Sequence, residues 1–404
     1  MRVLMVNAFH WLKGGVERTV FDETRWLEGE GHEVAHFATR DPRNRESRFA
    51  RYFAPAADYG EGTPAWRQLP QLSRAVWSAP AARALAGLLA EWRPDVAHVH
   101  APSRYLTPSV IAELERGGVP SVMTLHDFKP WCTNRVLFAR GEVCERCRGG
   151  HHWHAVTTGC VQHSRLKSAV GAVEAYAHDR RGAYRPIRRW IAPSAFVREK
   201  AVELGAEAAR LRLLPHGVER TSIARSPESR RPERFVLCAG RLAEETGVRA
   251  LPAVARAIAP VPLVVAGGGP LDAWLRSHAV GNLQLLGHLE SDALAELRER
   301  ASVVLVPSRF PETFGYAVAE AQLDARPVVA SRIGALAELV EHEVTGLLVP
   351  PGDTAALVAA TLRALADPAA ERWGAAAQAR ARVAFAPAAH ARGLVKIYEE
   401  AIQA

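Results

Sequence analysis

Residues 302–321, SVVLVPSRFPETFGYAVAEA, carry the reading on which the fold turns. Ser302 to Pro307 is a short run dominated by β-branched and aliphatic residues, the mark of a strand buried on both faces. A loop holding Pro311 and Glu312 follows, and a helix opens near Gly315. A buried strand that passes through a loop into a helix is the unit of an open α/β sheet, where ligands bind at the carboxyl ends of the strands. Backbone N–H groups at a helix start attract anions such as phosphate. Glycine at 315 lets a ligand approach the backbone closely. In that setting Glu312 is placed to accept hydrogen bonds from a sugar ring, and Glu320 from ribose hydroxyls. The alternative is a pair of ordinary solvated glutamates.

The same unit repeats outward from this stretch. Phe235 to Ala239, Val261 to Ala266, Asn282 to Leu286 and Pro327 to Ala330 read as strands of the same domain. Arg2 to Asn7, Asp95 to His100 and Pro120 to Leu125 form an earlier series, alternating with helical stretches such as Val16 to Glu30 and Pro80 to Trp92. Between the series lies Glu219 to Glu233, poor in apolar residues and holding two prolines, the best linker in the chain. The pattern predicts two doubly wound, Rossmann-like α/β domains at 1–219 and 234–386, joined by a linker at 220–233. A closing helix at 387–404 is expected to pack back toward the N-terminal domain. Two such domains are expected to face each other across an interdomain cleft.

Bulk properties agree with a globular protein: 404 residues, 48% hydrophobic, 23% charged. No apolar run reaches the roughly 18 residues of a membrane helix, and the short apolar start ending at Asn7 reads as a strand and not a signal peptide. A cytoplasmic location is the default expectation. The net charge of +8 rests almost wholly on arginine, for only five lysines occur. The arginines are scattered, so compositional bias accounts for the charge more simply than an anionic partner does. No nucleic-acid-binding module is present.

Further motifs stand in order along the chain: Lys13-Gly14-Gly15-Val16-Glu17-Arg18, His126-Asp127, Gly240-Arg241-Leu242, Gly267-Gly268-Gly269-Pro270, and Thr345-Gly346-Leu347-Leu348-Val349 ahead of Pro351-Gly352-Asp353. Together with the Glu312-x-Phe314-Gly315…Glu320-Ala321 frame, they resemble the retaining GT-B glycosyltransferases of family 4. The resemblance spans nearly the whole chain and implies a nucleotide-diphosphate sugar as donor. The acceptor, whether small molecule, glycan or lipid, stays open. It implies His126, Arg241 and Glu312 at the reaction centre and Gly15, Phe314, Gly315, Tyr316 and Glu320 at the donor. It further implies that catalysis needs no metal cofactor, with cationic side chains and helix starts neutralising the diphosphate.

Two positions depart from the family pattern. Thr246 stands where a diphosphate-binding lysine is usual, so Arg309 or Arg249 must compensate or diphosphate binding weakens. That departure also supports a rival expectation, a non-catalytic nucleotide-sugar-binding partner or scaffold of the same fold. His216 stands where asparagine is more usual.

Four of the five cysteines, Cys132, Cys144, Cys147 and Cys160, lie in one insertion at about 132–160, with a single C-x-x-C at Cys144 and Cys147. A tetrahedral structural zinc site is one reading; disulfides or unrelated thiols are the others. Cys238, on an apparent strand, reads as a buried apolar residue. The stretch Trp66 to Trp92 mixes tryptophans with Arg67, Arg74 and Arg83. It reads either as helices packed on the sheet or as a basic amphipathic surface making peripheral membrane contact to receive a lipid acceptor.

Overall fold

The computed structural model describes residues 1–56, 73–220 and 233–404. They form two compact units: Met1–Leu137 with Glu145–Gly217 and Pro387–Ala404, and Phe138–Cys144 with Val218–Ala386. All of the expected linker between Arg220 and Glu233, together with Trp66 and Arg67, lies outside the described residues.

The strands of the first unit are β1 (Arg2–Val6), β2 (Glu33–Phe37), β3 (Val96–Val99) and β4 (Ser121–Thr124). After a small antiparallel pair, β5 (Phe138–Ala139) with β6 (Glu142–Val143), come β7 (Ile187–Ala192) and β8 (Leu211–Leu213). The six long strands make one parallel sheet in the order β2-β1-β3-β4-β7-β8. The chain runs outward from β1 to β2 and then crosses to β3 on the other side. The order therefore reverses beside β1, where open α/β sheets bind ligands. Strands β3 and β4 are buried along their whole length, which is why they read as continuous apolar runs broken only by His98, Ser121 and Thr124.

One face of this sheet is closed by the helix Gly15–Gly29 and by the last helix, Pro387–Gln403. Leu394, Ile397 and Tyr398 of the latter pack with Val3, Met5, Val96, Val122 and Ile191. Burial of Leu394 and Ile397 contributes roughly 1.5–3 kcal/mol each. The other face takes the helix Ala79–Glu91, whose Leu85 and Leu88 are fully buried, together with Trp92 just beyond it. The buried face of this helix is thus spent on the core, while Trp77 and Leu89 beside it are half-buried. Among the described residues no helix is long and apolar enough to cross a membrane.

The second unit repeats the plan with β9 (Val236–Ala239), β10 (Leu263–Ala266), β11 (Leu283–Gly287), β12 (Val303–Val306), β13 (Val328–Ser331) and β14 (Gly346–Val349). The order is β11-β10-β9-β12-β13-β14, all parallel. Here the reversal falls between β9 and β12. Gly247, in the loop after β9, has φ +74°, and a Cβ there would stand 1.9 Å from the carbonyl oxygen of Pro307, after β12. Only glycine lets the two loops approach so closely. The cysteine-bearing insertion does not stay whole: Phe138–Cys144 clusters with the second unit, and the rest with the first.

Candidate functional site

In the second unit, the two loops at the strand reversal carry most of the expected donor residues. The first follows β9. Its turn is held by Thr246, whose Oγ1 lies 2.7 Å from the carbonyl oxygen of Arg241 and 3.0 Å from that of Ala243, and accepts from the Ala243 N–H at 3.2 Å. The hydroxyl that replaces the expected lysine thus shapes the loop that bears Arg241. The Arg241 side chain is exposed and pairs with Glu245 at 3.2 Å. Both arginines named as compensating cations pair with one carboxylate: Arg309 Nη1 donates to Glu244 Oε1 at 2.8 Å, and Arg249 binds the other oxygen. Arg309 also donates to the carbonyl of Gly141 at 2.7 Å.

The second loop follows β12. Ser308 Oγ donates to Glu312 Oε1 at 2.8 Å, and the Glu312 carbonyl accepts from the Ala335 N–H at 2.9 Å. Burial, with a smaller contribution from Glu245, pushes the Glu312 carboxyl up to about 7. Gly315 sits at φ +91° and opens the helix Tyr316–Leu323. Leu336 lies 2.6 Å from where its Cβ would be.

Glu320 lies on that helix, buried. Arg298 Nη1 donates to its Oε2 at 3.0 Å, and Arg298 Nε donates to Asp324 at 2.7 Å. Arg220 bridges Asp324 and Glu299, each at 3.1 Å. The Phe314 ring, 3% exposed, faces inward among Val218, Leu323 and Phe385, so what it can offer a ligand is backbone. Tyr316, half-buried, packs edge-on against it at 4.9 Å.

In the first unit, Gly15 is the exposed first residue of the helix after β1. Near it, Asn7 Nδ2 donates to buried Glu17 at 3.1 Å, and Lys13 rests over the Phe9 ring at 3.9 Å. His126 follows β4. Burial lowers it to about 3, so the ring is neutral. Its Nε2 lies 2.9 Å from Nδ1 of His100, and the His216 ring stacks on it at 5.2 Å and 10°. Asp127 accepts from the Lys129 N–H at 2.8 Å, capping the next segment.

Behind His126 lies a buried polar network that the sequence reading missed. Glu23 is 1% exposed, and its Oε1 lies 3.0 Å from Nε2 of His390. Its Oε2 lies 3.4 Å from both His98 Nδ1 and His100 Nε2. These three residues are, among the described residues, the one group whose ligating atoms lie close enough to hold a metal, within 4.8 Å of one another. The period-two spacing of His98 and His100 after Asp95 was a signal that both face one side of the sheet; Glu23 and His390 carried none.

The cysteines are all free, and none belongs to such a group. Cys132 is buried, donates to Asn134 at 3.0 Å and is pushed up to about 12 by burial. Cys147 lies 3.8 Å from the Thr133 hydroxyl and is hydrogen-bonded to His152, whose Nε2 lies 2.8 Å from Asp179. Cys238 is buried on β9.

Two sequence profiles match the chain: one described as Glycosyltransferase Family 4, over residues 13–221, and one as Glycosyl transferases group 1, over residues 233–367. The chain is 30% identical to the glycogen synthase of Mycobacterium tuberculosis over 417 aligned residues, which cover 95% of this chain and 89% of that protein. Among solved structures, the sucrose-phosphate synthase of Thermosynechococcus elongatus superposes with a TM-score of 0.73 at 21% identity, covering 99% of this chain and 98% of that one. The HepE protein of Anabaena, solved with UDP-glucose, superposes with a TM-score of 0.69 at 18% identity, covering 99% and 100%.

Proposed function

This chain belongs to glycosyltransferase family 4, and on that premise we propose that it moves a sugar from a nucleotide-diphosphate sugar to an acceptor hydroxyl, with retention at the anomeric carbon and no metal ion. The observation that carries the reading is the adjacency of β9 and β12, which brings the Arg241 loop and the Glu312–Gly315 loop together at the strand reversal of one sheet.

Each group has a task in that reaction. Arg241 holds the diphosphate, with the helix start after Gly315 contributing N–H groups. Arg309 is the second cation, taking over from the lysine that Thr246 replaces, because it leaves the same strand end as Glu312. Glu320 accepts from the ribose, oriented by Arg298. Glu312 accepts from a hydroxyl of the sugar, and His126 meets the sugar from the first unit, with Gly15 near the phosphates. The bond from the anomeric carbon to the phosphate oxygen breaks while the bond to the acceptor oxygen forms on the same face. The acceptor proton passes to the departing phosphate. Closing the site to water limits donor hydrolysis.

One observation favours a second reading, nucleotide-sugar binding without turnover. The Thr246 hydroxyl is engaged in its own turn, and both replacement cations share Glu244. Assaying donor hydrolysis and transfer across a panel of nucleotide sugars separates the two. Turnover with one donor, lost in Glu312→Ala, with the product anomer read by NMR, is the outcome expected. Tight nucleotide binding with no turnover on any donor would sink the transferase reading.

A further inference from the structure

His390 Nδ1 lies 2.8 Å from the carbonyl oxygen of Pro215, which can only accept, so Nδ1 carries a proton. The other ring nitrogen, Nε2, lies 3.0 Å from Oε1 of Glu23. Were Glu23 ionised and His390 neutral, two lone pairs would face each other inside the core. One proton must therefore lie between them.

The next link is His100. Its Nε2 and the Oε2 of Glu23 lie 3.4 Å apart, longer than an ordinary hydrogen bond, and neither buried atom has a hydrogen-bond partner. Of the two neutral forms of His100, only the one with hydrogen on Nε2 avoids a second clash of lone pairs. That form leaves the Nδ1 lone pair to accept from His126 Nε2 at 2.9 Å. His98 does not decide the matter, because its nitrogens meet two hydroxyls, Tyr398 at 2.8 Å and Thr124 at 2.7 Å, that can each donate or accept.

We propose that Glu23 is a positioning residue. As a neutral carboxylic acid it donates from Oε1 to His390 and draws the Nε2–H of His100 toward Oε2, which fixes His126 with its proton on Nε2 and its lone pair on Nδ1. His126 then meets the donor sugar as an acceptor of a hydroxyl hydrogen bond. This last step rests on the transferase reading; the tautomer itself does not. Burial favours the same protonation state, for it pushes the Glu23 carboxyl up against the opposing pull of His390, and Asp22 adds to the rise. The rival occupant of the site is a divalent metal. Two donors 3.4 Å apart suit tetrahedral bonds of about 2.1 Å. A metal would need Glu23 ionised, however, which forces a positive charge onto His390 within the same core.

The test is imidazole ¹⁵N NMR of the full chain labelled at histidine, with Glu23→Gln and Glu23→Ala beside the natural protein. The glutamine amide can donate to His390 and present its oxygen to His100, mimicking the neutral acid. It should leave the His126 tautomer intact and turnover within about twofold. Alanine should scramble the tautomer and lower kcat about tenfold, the scale of one hydrogen bond, with little change in KM. Should Glu23→Ala fail to fold, Glu23→Met fills the volume in its place. A tautomer unchanged in Glu23→Ala, or changed in Glu23→Gln, overturns the proposal. So does one equivalent of tightly held metal in the purified protein. The NMR readout stands whether or not any donor is turned over, so a failure here is distinct from a failure of the transferase reading.

Discussion

Ser308 Oγ donates to Glu312 Oε1 at 2.8 Å, and this hydroxyl partly offsets the burial that lifts the Glu312 carboxyl to about 7. The native state therefore holds a proton there that the unfolded chain has released at the same pH. Between about pH 4.5 and 7 this group makes stability fall as pH rises. The term is roughly 2 kcal/mol once discounted for partial exposure. Urea titrations across that range should show the slope flatten in Glu312→Gln. Activity should run the other way, rising toward pH 7 as the carboxylate able to accept two hydrogen bonds appears.

Arg298 joins Glu320 and Asp324 inside the second unit, at 3.0 Å and 2.7 Å. Arg298→Ala should cost about 3 kcal/mol, since it strands two buried carboxylates with Arg220 alone to neutralise them. Donor affinity should fall with it, because Glu320 loses the group that aims it. Chemical unfolding gives the first number and nucleotide titration the second; an unchanged affinity would remove Glu320 from the ribose.

In the proposed site, Thr246 and Arg309 divide between them what one lysine would do. Thr246→Val keeps the shape and loses the hydroxyl, so it should cost about 1 kcal/mol and loosen the Arg241 turn. Arg309→Ala should weaken donor binding about tenfold or more. Arg249→Ala should weaken it far less, since Arg249 rests on the Trp274 ring at 4.5 Å. Equal losses at the two arginines would refute Arg309 as the second cation.

Burial pushes the Cys147 thiol up, but hydrogen bonds with His152 and Thr133 more than cancel this and leave it below its ordinary value. Cys132 and Cys238 are buried and pushed up to about 12. Iodoacetamide near neutral pH should label Cys147 ahead of those two, as read by mass spectrometry. A Cys147 that resists until a chelator is added would instead favour metal at the cysteine insertion.

How far the sequence alone reaches depends on how far apart the partners lie. Strands such as Val96–Val99 and Val303–Val306 were legible because parallel strands buried on both faces must be apolar throughout, and the loops at Arg241 and Glu312 followed from where such strands end; Glu33–Phe37, Ile187–Ala192 and Leu211–Leu213, which carry polar or exposed residues, were not read. The inward turn of the Phe314 ring was not legible, because a motif records that a residue stands in a loop and not which way its side chain turns. Glu23 and His390, 367 positions apart, look on their own helices like solvated polar residues. Nothing in local periodicity reports that packing will seal them together. The division of the cysteine insertion at Cys144 is equally a matter of tertiary contact.

The last helix, Pro387–Gln403, supplies Leu394, Ile397, Tyr398 and Ala401 to a core whose other fully buried members lie before residue 192. In connectivity, the whole second unit is thus a long excursion within the first. A ribosome making this chain finishes every strand of both sheets before the segment that seals the earliest core leaves the exit tunnel. The later-made unit is therefore free to fold first, while the earlier-made one waits with that face covered by the helix Gly15–Gly29 alone. A chain released after residue 386 would keep the sheet of the second unit and lose the helix that seals Glu23 and His390 behind His126.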